Sequence, residues 1–173
     1  MPSSRFLISS QTLGSAAASV TFSSIPAGYT DLVLRISARS DRATDTQSIF
    51  LKFNGDGTTT KYSRTTVNGD GVNASSARQT NAATVVIPFI TGTTATANTF
   101  NNVELYIPNY AGSTNKPYSA VGAPENNYYL VEYIEGVAGL YRETAAISSI
   151  QFTLPSGNFV SGSSFYLYGL RSS

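Results

Sequence analysis

The chain has 173 residues, of which 12% are charged and 41% hydrophobic, and 11 Lys and Arg against 10 Asp and Glu leave a formal net charge of +1. That length suffices for one well-buried domain, and the absence of any basic run argues against nucleic acid as a partner. There is no Cys and no His, which excludes disulfides, thiolate metal sites and Ser-His-Asp or Cys-His nucleophiles, so stability must come from packing or assembly.

Residues 1–4 read as a short flexible segment. The apolar run that follows, Phe6 to Ile8, is too short for a secretion signal, whose core needs about 7 residues or more, and no stretch approaches the roughly 18 apolar residues of a membrane span. Arg5 to Thr12 and Ala18 to Ile25 alternate and predict a first hairpin or strand pair around Leu13-Gly14-Ser15. After the Pro26-Ala27-Gly28 turn comes the clearest alternation in the chain, Asp31 to Ala38. Leu32, Leu34, Ile36 and Ala38 fall on one side of that strand, and Asp31, Val33, Arg35 and Ser37 on the other.

Gln47 to Phe53 is the next predicted strand. Asn54-Gly55-Asp56-Gly57 and Asn68-Gly69-Asp70-Gly71 then predict two successive hairpin turns and hence a meander. Val72 to Asn81 reads as a small-residue loop. Val85 to Ile90 is an apolar strand in which Pro88 requires an edge or a bulge. Thr91 to Thr99 reads as an exposed loop, Asn102 to Pro108 as a strand, and Tyr118 to Val121 and Tyr128 to Ile134 as further strands. Ile147 to Leu154 and Ser164 to Leu170 close the series. Helical turns are expected at most over Ser15 to Val20 and Val137 to Thr144. The expectation is an all-β fold: residues 1–173 as a single antiparallel β-sandwich domain, jelly-roll-like, with an immunoglobulin-like sandwich as the alternative.

Few residues suggest chemistry. Glu104, Glu132 and Glu135 are the only clustered glutamates on predicted strands, and on exposed faces they suit a wetted sheet better than the paired carboxylates of a glycosidase. Asp41, Asp45, Asp56 and Asp70 lie in oxygen-rich loops without the spacing of a calcium-binding loop. Lys52, Lys61 and Lys116 have no serine in a nucleophile motif. Tyrosine is the notable excess: Tyr128 and Tyr129 belong to a cluster from Tyr106 to Tyr141, and Tyr166 and Tyr168 take the outward parity of the last strand. Tyrosine suits interfaces and sugar-stacking platforms alike.

Three stretches resemble small β-sandwich virion structural proteins of tailed bacteriophages. They are Ser19-Val20-Thr21-Phe22-Ser23-Ser24-Ile25-Pro26 with Tyr29-Thr30-Asp31-Leu32-Val33-Leu34-Arg35; Asn102-Val103-Glu104-Leu105-Tyr106-Ile107-Pro108-Asn109-Tyr110-Ala111-Gly112; and Phe165-Tyr166-Leu167-Tyr168-Gly169-Leu170. The resemblance implies a non-enzymatic capsid decoration (cement) protein, made in the host cytoplasm and located on the capsid surface of the virion, commonly as a homotrimer. Its implied partner is the major capsid protein lattice, with no cofactor, nucleic acid or membrane. The alternative is a receptor- or glycan-binding module of a tail fibre. Val33, Phe50, Tyr128, Tyr129, Tyr166 and Tyr168 are the interface candidates, since a free sandwich is expected to leave outward residues such as Val33, Phe50 and Tyr166 wet.

Overall fold

The structure, a computed structural model, describes residues 4–124 and 134–171. The first strands are β1 (Ser4–Thr12), β2 (Ser19–Phe22), β3 (Asp31–Ala38) and β4 (Thr46–Phe53). The middle of the chain gives β5 (Tyr62–Gly69), β6 (Ala74–Ala82), β7 (Val85–Thr91) and β8 (Asn101–Ile107). The last four are β9 (Lys116–Ala123), β10 (Ile134–Tyr141), β11 (Ile150–Thr153) and β12 (Ser164–Arg171). No helix occurs among the described residues.

The strands form an eight-stranded sheet, β1-β12-β3-β8-β9-β10-β5-β6, packed on a four-stranded sheet, β2-β11-β4-β7. Adjacent strands pair antiparallel throughout, as in β12 with β3, β3 with β8, and β11 with β4. Set aside β5, β6, β9 and β10, and the remaining strands are β1-β12-β3-β8 facing β2-β11-β4-β7. The chain then changes sheet at every step except β4 to β7, which is jelly-roll connectivity. An immunoglobulin sandwich would keep its first two strands in one sheet; here β1 and β2 lie in different sheets.

The alternating residues build the core as their periodicity requires. Leu32, Leu34 and Ile36 of β3, Val103, Leu105 and Ile107 of β8, and Phe165 and Leu167 of β12 face Ile49, Leu51 and Phe53 of β4 and Phe152 of β11, all buried. Each such side chain contributes about 1.5–3 kcal/mol of transfer free energy. Pro88 sits on the outermost strand of the smaller sheet, and the register jumps there from Ser48 opposite Phe89 to Ile49 opposite Ile87. It is therefore both an edge and a bulge residue.

Several local expectations are overturned. The first Asn-Gly-Asp-Gly turn does not close a hairpin. The Asn54 side chain accepts from the Ser148 and Ser149 amides at 2.8 and 3.1 Å and donates to the Ala146 carbonyl at 2.9 Å, and the chain passes to the other sheet. The second turn does close one, β5 to β6, with Asp70 accepting from Val72 and Asn73. The expected loop from Val72 to Asn81 is mostly strand β6, an edge strand exposed on both faces and hence without the periodicity that reveals one. The Arg5 to Thr12 and Ala18 to Ile25 segments do not pair with each other: β1 pairs with β12 and β2 with β11. Both expected helical turns are extended; Val137 to Tyr141 belong to β10, and Ser19 and Val20 to β2. The Thr91 to Thr99 loop is exposed at most of its positions, as expected, but it is anchored. Buried Arg39 donates to the carbonyls of Ala95, Thr96 and Thr99 at 3.1, 2.8 and 3.0 Å and draws Ala95 into the protein.

The four added strands extend the larger sheet beyond its partner. An aromatic cluster bridges the junction: Tyr62 stacks on Tyr141 at 4.8 Å and 15°, and Phe53 contacts Tyr62, Tyr118 and Tyr141 with centroids 5.3–6.2 Å apart. Tyr118 lies across Gly139, its register partner on β10, where any Cβ would collide with the phenol ring. Gly139→Ala is accordingly expected to displace Tyr118 and to cost about 1–3 kcal/mol in urea denaturation; an unchanged midpoint would show that the ring is not held in place.

Candidate functional site

The outer face of the larger sheet collects the chain's most distinctive surface groups. Register places Tyr166, Arg35, Glu104 and Val121 side by side across β12, β3, β8 and β9. Tyr168, Val33, Tyr106 and Ser119 form the adjacent row. Odd positions of β3 and even positions of β8 and β12 point away from the core, so the parity that buries Leu34 and Leu105 also exposes Arg35 and Glu104.

Arg35 Nε donates to Glu104 Oε2 at 2.8 Å, and Arg5 approaches the same oxygen at 4.0 Å. The Tyr166 and Tyr168 rings stand nearly parallel, 6.4 Å and 21° apart, and the Arg5 guanidinium lies 5.7 Å from the Tyr168 ring. Arg35, Glu104, Tyr166 and Tyr168, with Ser37 and Asn102, line an open groove of about 490 Å³. Its size falls within the roughly 300–1,000 Å³ of small-ligand sites. At one end Tyr106 donates to Asp31 at 2.8 Å, and burial together with that carboxylate pushes the phenol pKa up.

The interface candidates do not act together. Val33 is only 2% exposed, because register sets it between Tyr168 and Tyr106, so the monomer already covers it. Tyr166 and Tyr168 are half-buried on the outer face of the larger sheet, whereas half-buried Phe50 belongs to β4 in the other sheet. Tyr128, Tyr129 and Glu132 lie outside the described residues. Tyr62, Tyr110, Tyr118 and Tyr141 are core residues.

The titratable groups are dispersed. Glu104 projects outward, while Glu135, expected on a wet face, lies on the inner face of β10 with 4% exposure. The two carboxylates are thus on opposite sides of one sheet. Among the described residues no cluster of Asp and Glu is arranged to hold a metal ion. The loop aspartates instead order backbone: Asp41 accepts from Asn158 at 2.7 Å and Asp56 from Thr58 at 2.9 Å, and these bonds hold both carboxyls below their ordinary pKa. Lys61 pairs with Glu143 at 2.6 Å, which draws the Glu143 pKa down to about 2. Lys116 is fully buried, its ammonium donating to the carbonyls of Gly112, Thr114 and Thr144, and burial lowers its pKa.

A second exposed feature occupies the added strands. Val67, Val121 and Ile134 are 59%, 56% and 61% exposed, and Gly136 lies in register between Val121 and Val67. Because Gly136 has no side chain, the three apolar side chains border an open apolar depression. Sequence reasoning missed it, since Val67 and Val121 each end a polar stretch and meet only through β10.

No protein-family model matches the chain, and a search of the curated proteins finds no match. Among solved structures, the chain is similar to a leech intramolecular trans-sialidase at 13% identity and a TM-score of 0.34, covering 100% of this chain and 27% of the enzyme. It is also similar to the Caenorhabditis elegans galectin LEC-6 at 12% identity and a TM-score of 0.32, covering 97% of this chain and 96% of the galectin. Likeness at this level carries no argument about what the chain does.

Glu135 has a measurable consequence of its own. Its Oε2 and the Oδ1 of its cross-strand neighbour Asn68 are both buried without a hydrogen-bond partner among the described residues. Desolvation raises the Glu135 pKa, opposed by a bond from the Phe89 amide and by the charge of Arg64. A protonated carboxyl can donate to Asn68, so two acceptors become a donor and an acceptor. The folded state then holds this proton more tightly than the unfolded state, and stability is greatest below the ordinary carboxylate range and falls as pH rises through the folded pKa. Glu135→Gln, which carries a permanent donor, is expected to gain about 1–2 kcal/mol at pH 7 and to flatten that slope. A loss of stability at pH 7 would show that the carboxylate is the form the fold prefers.

Proposed function

We propose that this chain is a non-enzymatic structural protein of a tailed-phage virion, a decoration protein seated on the major capsid protein lattice as a trimer. The observation that carries the reading is the exposed apolar patch of Val67, Val121 and Ile134 around an open depression. Scattered single apolar residues are normal on a protein surface, whereas a contiguous patch on an otherwise polar sheet suits a contact surface. This patch lies on strands added to the jelly roll, so the fold does not need it. The resemblance to virion proteins names the partner, and the low charge and absent Cys suit a particle that persists outside a cell. A tail-fibre receptor module is the second reading, favoured by the tyrosine-walled groove on β12, β3 and β8.

Titration of the purified chain onto heads lacking it tests the lattice role. Wild-type chain is expected to bind and to raise the temperature at which the heads open. Val121→Asp, a surface change expected to leave chain stability within about 0.5 kcal/mol, is expected to weaken binding about tenfold or more. Failure of the wild type to bind heads, or undiminished binding by Val121→Asp, contradicts the reading. Sedimentation of the free chain checks the oligomer, with a trimer expected and a monomer at all concentrations contradicting it.

A further inference from the structure

The Arg35–Glu104 pair is poorly explained as a stabilising element. Its side chains are 56% and 48% exposed, and exposed pairs of this kind contribute about 0–1 kcal/mol. It uses only Arg35 Nε and Glu104 Oε2. The terminal guanidinium nitrogens and Glu104 Oε1 have no hydrogen-bond partner among the described residues and border the groove. They sit on central strands, β3 and β8, whose backbones are fully paired on both sides. Peptide capture by strand addition needs a free edge, so the groove offers side chains only.

Those side chains have a definite chemistry. Arg35 supplies donors, Glu104 supplies acceptors, and Asn102 and Ser37 supply both. Vicinal hydroxyls of a sugar donate and accept at once, so adjacent donor-only and acceptor-only groups fit a diol. Tyr166, beside Arg35 in register, offers an apolar ring face of the kind that packs against the C–H face of a pyranose. Tyr168 backs it in near-parallel orientation, with Arg5 beyond. The carboxylate at the centre of the groove opposes an acidic ligand. We infer that the groove across β12, β3 and β8 binds a neutral pyranose of a glycan, Tyr166 stacking on the ring while Arg35 and Glu104 hold adjacent hydroxyls.

The site deepens the receptor reading by naming its ligand class, yet it does not require a tail location, since a protein on the head could carry it equally. Saturation-transfer NMR of the full chain tests it, with the methyl glycosides of glucose, galactose, mannose and N-acetylglucosamine as neutral probes and N-acetylneuraminic acid as the acidic probe. At least one neutral glycoside is expected to receive saturation. Glu104→Gln keeps the size and exposure of the side chain and removes the charge; it is expected to weaken binding about tenfold. Tyr166→Ala is expected to abolish transfer, and Thr21→Ser, exposed on β2 of the smaller sheet, to leave it unchanged. Thermal midpoints confirm that each variant is folded. Transfer to none of the neutral glycosides, transfer to the acidic sugar alone, or wild-type binding by Glu104→Gln and Tyr166→Ala would each overturn the inference. Any of these results leaves the Val121→Asp comparison on heads to stand or fall separately.

Discussion

The structure depends on one mismatch: a four-stranded sheet cannot cover an eight-stranded one. Strand β7 packs on β9, β10 and part of β5, with Pro88 against Gly122 and the Phe89 amide on Glu135, but no further strand of the smaller sheet lies beyond it to close the rest of that inner face. Large aromatic side chains do that work. Phe53, at the end of β4, meets Tyr62, Tyr118 and Tyr141 from the added strands. Two of these hydroxyls find partners in one turn, Tyr62 donating to the Asp56 carbonyl at 3.0 Å and Tyr141 to the Asp56 carboxylate at 3.1 Å, while Tyr118 donates to the Ser63 carbonyl at 3.2 Å. The Asn54-Gly55-Asp56-Gly57 turn therefore serves as a polar cap on an aromatic joint. Desolvation there raises the Tyr62 pKa to about 12, so the phenols stay neutral donors at any ordinary pH.

The same economy governs the loops. Arg39 and Lys116 are buried cations whose side-chain donors meet backbone carbonyls, of residues 95–99 in one case and of residues 112–114 and 144 in the other. Neither needs a carboxylate partner, because several carbonyl dipoles offset part of the desolvation cost. Each thereby fixes a polar loop that composition alone would leave loose. With both ends of the sandwich so fixed, the outer face of the larger sheet is a rigid surface, which is the condition for either a lattice contact or a ligand groove.

The sequence was readable where one physical signal dominated. Strand β3 has the bounds its alternation implies, because one face is core and the other is not. Pro88 announced its bulge because a residue without an amide proton has few places in a sheet. Strand β6 was invisible because both of its faces are wet. Strand β10 was misread because Gly136, Ala138 and Gly139 leave gaps that neighbouring strands fill. Turn chemistry identified both Asn-Gly-Asp-Gly reversals but could not tell that the first carries the chain between sheets. At the site, parity placed Arg35, Tyr166 and Tyr168 outward, yet the partnership of Arg35 with Glu104 spans 69 positions and is set only by register. Val33 shows the converse: alternation made it outward, and two tyrosines from neighbouring strands cover it.

The central claim is that this jelly roll is a lattice-bound decoration protein, and cryo-electron microscopy of virions that carry the chain tests it most directly. The account predicts density for the sandwich at regular positions on the head, in three-fold groups, with Val121 and Ile134 turned towards the capsid. Density confined to the tail or its fibres, or none on the particle, would contradict it.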